Sequence, residues 1–297
     1  MNIGKTRLFT ILFLICLTAS LTVGGLTPAT GVAKRAGSKA KKGYKITRIA
    51  FDPKWEYGDC AKITSGEAVL YTVTGKNAKG KTVCINAGHG TKGGASKTVL
   101  CHPDGSPKIV SGSTAAGATK APAVGGGMTF NDGTREAAAT LKAAIATRKE
   151  FLKHGYNVLM IRTRKDVQLD NVARTLIANN NADIHIAIHY DGDGLSYDKG
   201  VFFCSVPNNR TYRNMEPVKS YWKKHNRLGK YVIKGLEKAG MKKWSNGRMP
   251  MDLTQTSFST VPSIDLEVGN QCSNRSDAVM KKIAKGIRLG VDRYFSK

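Results

Sequence analysis

Two rhythms of apolar residues run along the chain. Short, mostly β-branched and aliphatic runs recur: AVLYTV at 68–73, VCI at 83–85, YNVLMIR at 156–162, DIHIAIH at 183–189, GVFFCSV at 200–206 and PSIDLEVG at 262–269. Each has strand length and is bounded by turn-forming residues. Between them the spacing lengthens to that of helices. From Thr134 one face is marked by Leu141, Ile145 and Leu152, with Asp132 or Thr134 as the cap and a stop at His154-Gly155. Asp170 opens a short helix over LDNVARTLIANN, residues 214–240 read as a long basic helix, and Ser276 caps a closing one. In that last helix Val279, Ile283, Ile287, Val291 and Phe295 recur at four-residue steps, one buried face. Strands alternating with helices predict an α/β fold: a single twisted, mostly parallel sheet flanked by helices on both faces.

Two stretches break the alternation. Residues 1–33 have a positive start at Lys5 and Arg7, an apolar run from Leu8 to Val23, and small residues ending at Ala33. That is the pattern of a secretory signal peptide. An uncleaved membrane anchor is the competing reading, disfavoured because the apolar run is at the short end for a spanning helix. The expected organisation is therefore a signal peptide at 1–33, a basic leader with a strand extension at 34–80, and a main domain at 81–297. The second break is residues 91–133, a long Gly-, Ser-, Ala- and Thr-rich segment read as loop. Loops of that length in a compact domain are often functional.

Charge changes the picture of partners. Lys and Arg number 47 against 21 Asp and Glu, a net charge of +26. Such an excess implies an anionic partner rather than a particular fold. Export and the sparse aromatics, 7%, disfavour nucleic acid. An exported basic protein meets anionic wall polymers instead, and the lysines around Lys223, Lys224, Lys242 and Lys243 are the candidate surface. Beyond the signal, five cysteines remain with no CxxC pair; Cys84 and Cys204 sit in apolar runs and read as buried thiols.

Candidate chemistry gathers at the carboxyl ends of the predicted strands, where open α/β sheets bind ligands. His89 stands between two glycines shortly after the apolar run at 83–85. His189 ends IHIAIH, Glu267 ends SIDLE, and Glu136 lies in the first turn after the long loop. Two histidines and a carboxylate from separate elements suit a catalytic Zn²⁺ with one open position. A further carboxylate could then handle protons. Taken singly, each residue has a plain structural reading: a solvated turn histidine, a core histidine, a helix N-terminal acid. Glu267 in an apolar strand is the least easily explained that way, because a buried carboxylate is costly unless paired. His185 lies about 13 Å back along the strand from His189 and reads as structural. His102 reads as loop chemistry, and His154 and His225 as surface. Arg164 and Arg174 could contact an anionic substrate group or serve the fold.

The blocks VCINAGHG, GTREAAATL, ADIHIAIHYD and PSIDLEVGNQCSN occur here in the order seen in zinc-dependent N-acetylmuramoyl-L-alanine amidases of the Amidase_3 type. The chain resembles that family over residues 81–297, and TRKDVQLDNVARTLIANNNAD is similar to its segment before the third ligand. The resemblance implies that His89, Glu136 and His189 ligate Zn²⁺ and that Glu267 is the catalytic glutamate. Should Glu136 be misplaced by the long loop, Asp132 or Asp104 is next in line. The family commonly has Asn where this chain has Asp191, and an ionised carboxylate cannot donate a hydrogen bond. The implied protein is a secreted monomer of the cell wall that hydrolyses the bond between N-acetylmuramic acid and the L-alanine of the peptidoglycan stem. A zinc peptidase cutting within the stem would show the same site. A non-catalytic wall-binding module is the rival from another class, and the presence of all four polar residues argues against it.

Overall fold

The computed structural model describes residues 43–297; the expected signal peptide and most of the basic leader lie outside the described residues. In chain order the elements are β1 (Tyr44–Ala50), β2 (Glu67–Val73), β3 (Thr82–Ala87), β4 (Thr98–Leu100), β5 (Lys120–Pro122), α1 (Glu136–Lys153), β6 (Asn157–Met160), α2 (Asn171–Asn181) and β7 (Ile184–Asp191). Then follow β8 (Val201–Ser205), α3 (Arg210–Asn214), α4 (Val218–Lys238), β9 (Lys243–Pro250), α5 (Thr254–Phe258), β10 (Ser263–Asn270) and α6 (Asp277–Phe295). Eight strands form one sheet in the order β1-β2-β6-β3-β7-β10-β8-β9. Its centre, β6-β3-β7-β10, is parallel. The antiparallel pairs β1–β2, β2–β6 and β10–β8 lie to either side. The expected α/β sheet is thus present.

Alternation along the central strands divides the core. Val83, Ile85, Ile184, Ile186 and Ile188 pack with Ala139 and Ala143 of α1, Leu228 and Val232 of α4, and Ile283 and Ile287 of α6. Cys84 and Leu159 face the other way, onto Ala173 and Ile177 of α2. Burying both faces explains why these strands are nearly continuous apolar runs. No helix among the described residues is long and apolar enough to cross a membrane.

Some expectations are corrected. Neither Asp132 nor Thr134 caps α1, which starts at Glu136 with no side-chain cap. The Glu136 amide is instead satisfied by the Met128 carbonyl at 3.0 Å. The 91–133 segment is not plain loop, because β4 and β5 pair as a two-stranded ribbon. It is held down by the buried Asp252. That carboxylate accepts from the Ile109 amide at 2.6 Å, the Val110 amide at 2.9 Å and the His102 ring at 3.1 Å. His225 is not at the surface but 1% exposed, because its Nδ1 accepts the Ser263 amide at the start of β10. β9 carries no apolar run in its KWSNGRMP that would announce a strand; it is an edge strand with one partner, β8.

Candidate active site

The site begins with a register. β3 and β7 run parallel, and the Gly88 amide still donates to the Ile188 carbonyl at 3.0 Å, just past β3. Residue 88 therefore lies beside His189. A Cβ on Gly88 would fall 2.4 Å from the His189 ring, so only glycine admits the imidazole there. The chain then turns at His89, whose φ of 61° is uncommon for a residue with a side chain.

Two buried arginines hold this turn. Arg174 of α2 donates to the carbonyl of His89 at 2.7 Å, to Thr91 Oγ1 at 2.8 Å and to Asn86 Oδ1 at 3.2 Å. Arg162 donates to the Gly88 carbonyl at 2.9 Å and to the Ala137 carbonyl at 2.8 Å, tying the first turn of α1 to the end of β3. Burial pulls Arg162 down to about 10 and Arg174 to about 9, yet both stay charged at neutral pH. Arg174 is therefore spent on holding this turn and is not free for a substrate, whereas Arg164 is exposed.

Three side chains converge. Glu136, 3% exposed, accepts the Met128 amide on Oε2 at 2.9 Å and the Tyr190 amide on Oε1 at 3.0 Å. Its Oε2 lies 2.9 Å from His89 Nε2, and its Oε1 3.1 Å from His189 Nδ1. The two imidazoles meet edge to face, His189 Nδ1 3.1 Å from His89 Nε2. Burial raises the Glu136 carboxyl, but the contacts to His189 and His89 outweigh it and hold it far below the usual range. Burial lowers His189, while Asp265 and Glu136 push it up to about 10.

The donor set tests whether a cation fits. His89 Nδ1 lies 2.7 Å from the Gly125 carbonyl, which can only accept, so Nδ1 carries the proton. In the neutral ring Nε2 is then a bare lone pair aimed at a carboxylate oxygen and a second imidazole. These three groups could hold a shared cation. Ligands bound at about 2.0–2.1 Å on tetrahedral corners stand about 3.3 Å apart, close to the observed 2.9–3.1 Å. A small divalent ion fits.

Glu267 lies beside this cluster, paired in register with His189 across β10 and β7. Its Oε2 is buried without a partner. Burial, and then the neighbouring Asp265, push Glu267 well above the usual carboxylate range. The alternative acids do not reach the cluster: Asp132 binds Arg275 at 2.6 Å, and Asp104 is exposed. Asp191 is ion-paired with the buried Lys199. His185 is buried with neither ring nitrogen partnered, and burial pulls it down to about 3.

Sequence reasoning missed Arg162 and Asp265. Alternation in SIDLE puts Asp265 on the Glu267 face, a signal that could have found it. Arg162 matters only once β3 and α1 close around it, which no local pattern shows.

Fold and cluster together define an α/β protein with a His-Glu-His site at the carboxyl edge of its parallel strands. Residues 83–293 match the family model described as N-acetylmuramoyl-L-alanine amidase, Amidase_3. The chain belongs to this family, and its enzyme activity is that of a peptidoglycan amidase. Among solved structures, the apo N-acetylmuramyl-L-alanine amidase Ami1 from Mycobacterium abscessus aligns with a TM-score of 0.59 at 20% identity, covering 73% of this chain and 99% of that one. Ami1 from Mycobacterium smegmatis aligns with a TM-score of 0.59 at 18% identity, over 74% and 99%. AmiC2 of Nostoc punctiforme follows with 0.52 at 16% identity, over 74% and 99%. At these identities the likeness is one of fold. No curated protein matches the chain in sequence.

Proposed function

We propose that the chain is an exported zinc amidase in which His89, Glu136 and His189 hold Zn²⁺ and Glu267 moves the proton. The observation carrying this reading is the convergence of the bare His89 Nε2, the His189 ring and the Glu136 carboxylate within 2.9–3.1 Å of one another. Zinc at such a site supplies Lewis acidity, polarising an amide carbonyl and acidifying water. Glu267 accepts a proton from the attacking water. It returns a proton to the amide nitrogen as the C–N bond breaks, leaving the lactyl group of N-acetylmuramic acid as a carboxylic acid and the stem peptide with a free L-alanine amine. Burial, and then the neighbouring Asp265, raise the Glu267 carboxyl and so make its carboxylate a stronger base for this work. Arg162 and Arg174 fix the turn that aims His89. Residues 1–33 direct export, and 81–297 form the catalytic domain.

The partner surface belongs to the same reading. On α4, Lys219, Lys223, Arg227, Lys230, Lys234 and Lys238 are exposed at steps of three and four, one stripe about 28 Å long. The helix has one acid, Glu237, already paired with Lys243 at 2.7 Å. Such a row suits a linear anionic wall polymer.

Two measurements test the proposal. Mass spectrometry of digested peptidoglycan should find released stem peptides beginning at L-alanine. Fragments cut inside the stem would make the protein a peptidase instead. The purified domain should hold about one Zn²⁺, the stoichiometry of a single catalytic site, and lose it in His89→Ala and His189→Ala. Full zinc in the double variant would overturn the ligand assignment.

A further inference from the structure

β10 carries a second carboxylate beside Glu267. Side chains alternate along a strand, so Asp265 and Glu267 share a face. On the far side β8 pairs antiparallel with β10, and Cys204 stands directly opposite Asp265. The Cys204 sulfur and one carboxylate oxygen from each acid lie within 4.8 Å of one another. Cys204 is a free thiol, 8% exposed, and makes no hydrogen bond with any described residue. Asp265 Oδ1 and Glu267 Oε2 are likewise buried with no partner. Buried polar atoms nearly always find one. Here a thiol on one strand and two carboxyls on the next each hold an unpartnered atom within one small cluster, and Cys204 has no part in the reaction above.

The cluster is electrostatically unfinished. Burial pushes Cys204 well above its usual range, and the charges of Asp265 and Glu267 push it further. Asp265 is raised by burial as well. One thiol and two carboxyls so close together are a donor set that a divalent cation can bind, with release of whatever protons they carry. A sulfur ligand favours soft or borderline ions over Mg²⁺ and Ca²⁺. Asp265 keeps 16% side-chain exposure, so the cluster is not wholly sealed from solvent. The His189 ring separates this cluster from the first: its Nδ1 faces Glu136 at 3.1 Å, and its Nε2 faces Asp265 at 3.8 Å.

We infer that Cys204, Asp265 and Glu267 form a second cation site for a thiophilic divalent ion, excess Zn²⁺ or Cd²⁺, and that filling it takes Glu267 away from proton transfer. The inhibitory half rests on the reading of Glu267 as the base; the binding half does not. A carboxylate engaged by a cation is a much weaker base, so it accepts a proton from water less readily. The enzyme is thus activated by its first metal ion and arrested by a second.

The test uses the zinc-loaded protein in a Cys60→Ser, Cys272→Ser background, which removes the two partly exposed thiols. Cd²⁺ is titrated while the ultraviolet thiolate-to-cadmium charge-transfer band is recorded, and bound metal is counted after dialysis. The expected result is one additional Cd²⁺ per chain with a saturating band, absent in Cys204→Ser and shifted at least about tenfold to higher Cd²⁺ in Asp265→Asn, the loss typical of a weakened metal site. Turnover on peptidoglycan should fall in step with the band, while Cys204→Ser stays active at the same Cd²⁺. A band that survives in Cys204→Ser, or no extra ion, overturns the site. A filled site with unchanged turnover overturns the inhibition. Should Cys204→Ser fail to give a cooperative melt, Cys204→Ala takes its place. His89→Ala separates the two readings: it should keep the band, and zinc retained by that variant would count against the first site alone.

Discussion

Gly88→Ala adds one methyl group to the turn before His89. Its carbon would fall 2.4 Å from His189 Cε1 and 2.6 Å from both ring nitrogens, where 3.0 Å is already the practical limit. Something must move by roughly 0.6 Å or more, the kind of overpacking that costs about 1–3 kcal/mol. The backbone is poorly placed to yield. The Gly88 amide is bound to Ile188, and its carbonyl accepts from Arg162 at 2.9 Å and Thr140 at 2.9 Å. The ring swings instead, and His189 leaves its place beside His89 and Glu136. At about 2–4 °C per kcal/mol for a domain of this size, the melting temperature should drop by roughly 2–12 °C. Zinc affinity, read by chelator competition, should fall at least about 10–100-fold, since even an outer contact to a ligand is worth that much. Gly126→Ala is the control, with nothing within 4 Å of its added carbon. Wild-type melting and zinc affinity in Gly88→Ala would refute the packing argument.

Other expectations are shorter to state. Burial raises Asp252, but bonds from His102, Ile109 and Val110 outweigh it and hold it down at about 2. A folded value below the unfolded one means stability that is full above about pH 4 and lost as pH falls toward 2. Asp252→Asn should therefore cost about 1–3 kcal/mol at neutral pH and flatten the acid limb of the stability curve. It should also speed proteolysis within residues 101–122, and unchanged melts and cleavage would contradict the anchoring role. Reversing charge at Lys223, Arg227, Lys230 and Lys234 should weaken retention on walls and lower its salt sensitivity, because exposed charges are screened over about 8 Å at physiological ionic strength. Equal retention of variant and wild type in low salt would remove α4 as the polymer surface.

Much of this architecture is legible in the chain. Runs such as IHIAIH and VFFCSV announce buried strands because parallel strands covered on both faces cannot hide their apolar content. Asp170 and Ser276 act as the caps their positions suggest, accepting from Ala173 at 2.8 Å and Val279 at 3.5 Å. The four polar residues at strand and helix ends are brought together because parallel order puts those ends on one edge. What escapes is whatever closes over long distance. Arg162 and Arg174 look like ordinary strand-end and helix arginines, and their work shows only once β3, α1 and α2 surround them. His225 sits among lysines in sequence, yet one turn of α4 carries it inward to Ser263. Asp252 lies some 140 residues from the loop amides it binds, and no local rule links them.

The division of labour between the two glutamates is the centre of the account, and zinc content measured beside turnover in Glu136→Gln and Glu267→Gln tests it most directly. Glu136 is fixed by two backbone amides with its remaining lone pairs on the histidines, so Glu136→Gln should lose zinc first and activity as a consequence. Glu267→Gln keeps the size of the side chain and removes the base. It should retain about one zinc per chain, fold normally, and lose about 10²–10⁴-fold in turnover, the usual contribution of a general acid–base group. Zinc lost from Glu267→Gln and kept by Glu136→Gln would mean the roles are exchanged. Full turnover in Glu267→Gln would contradict the mechanism itself.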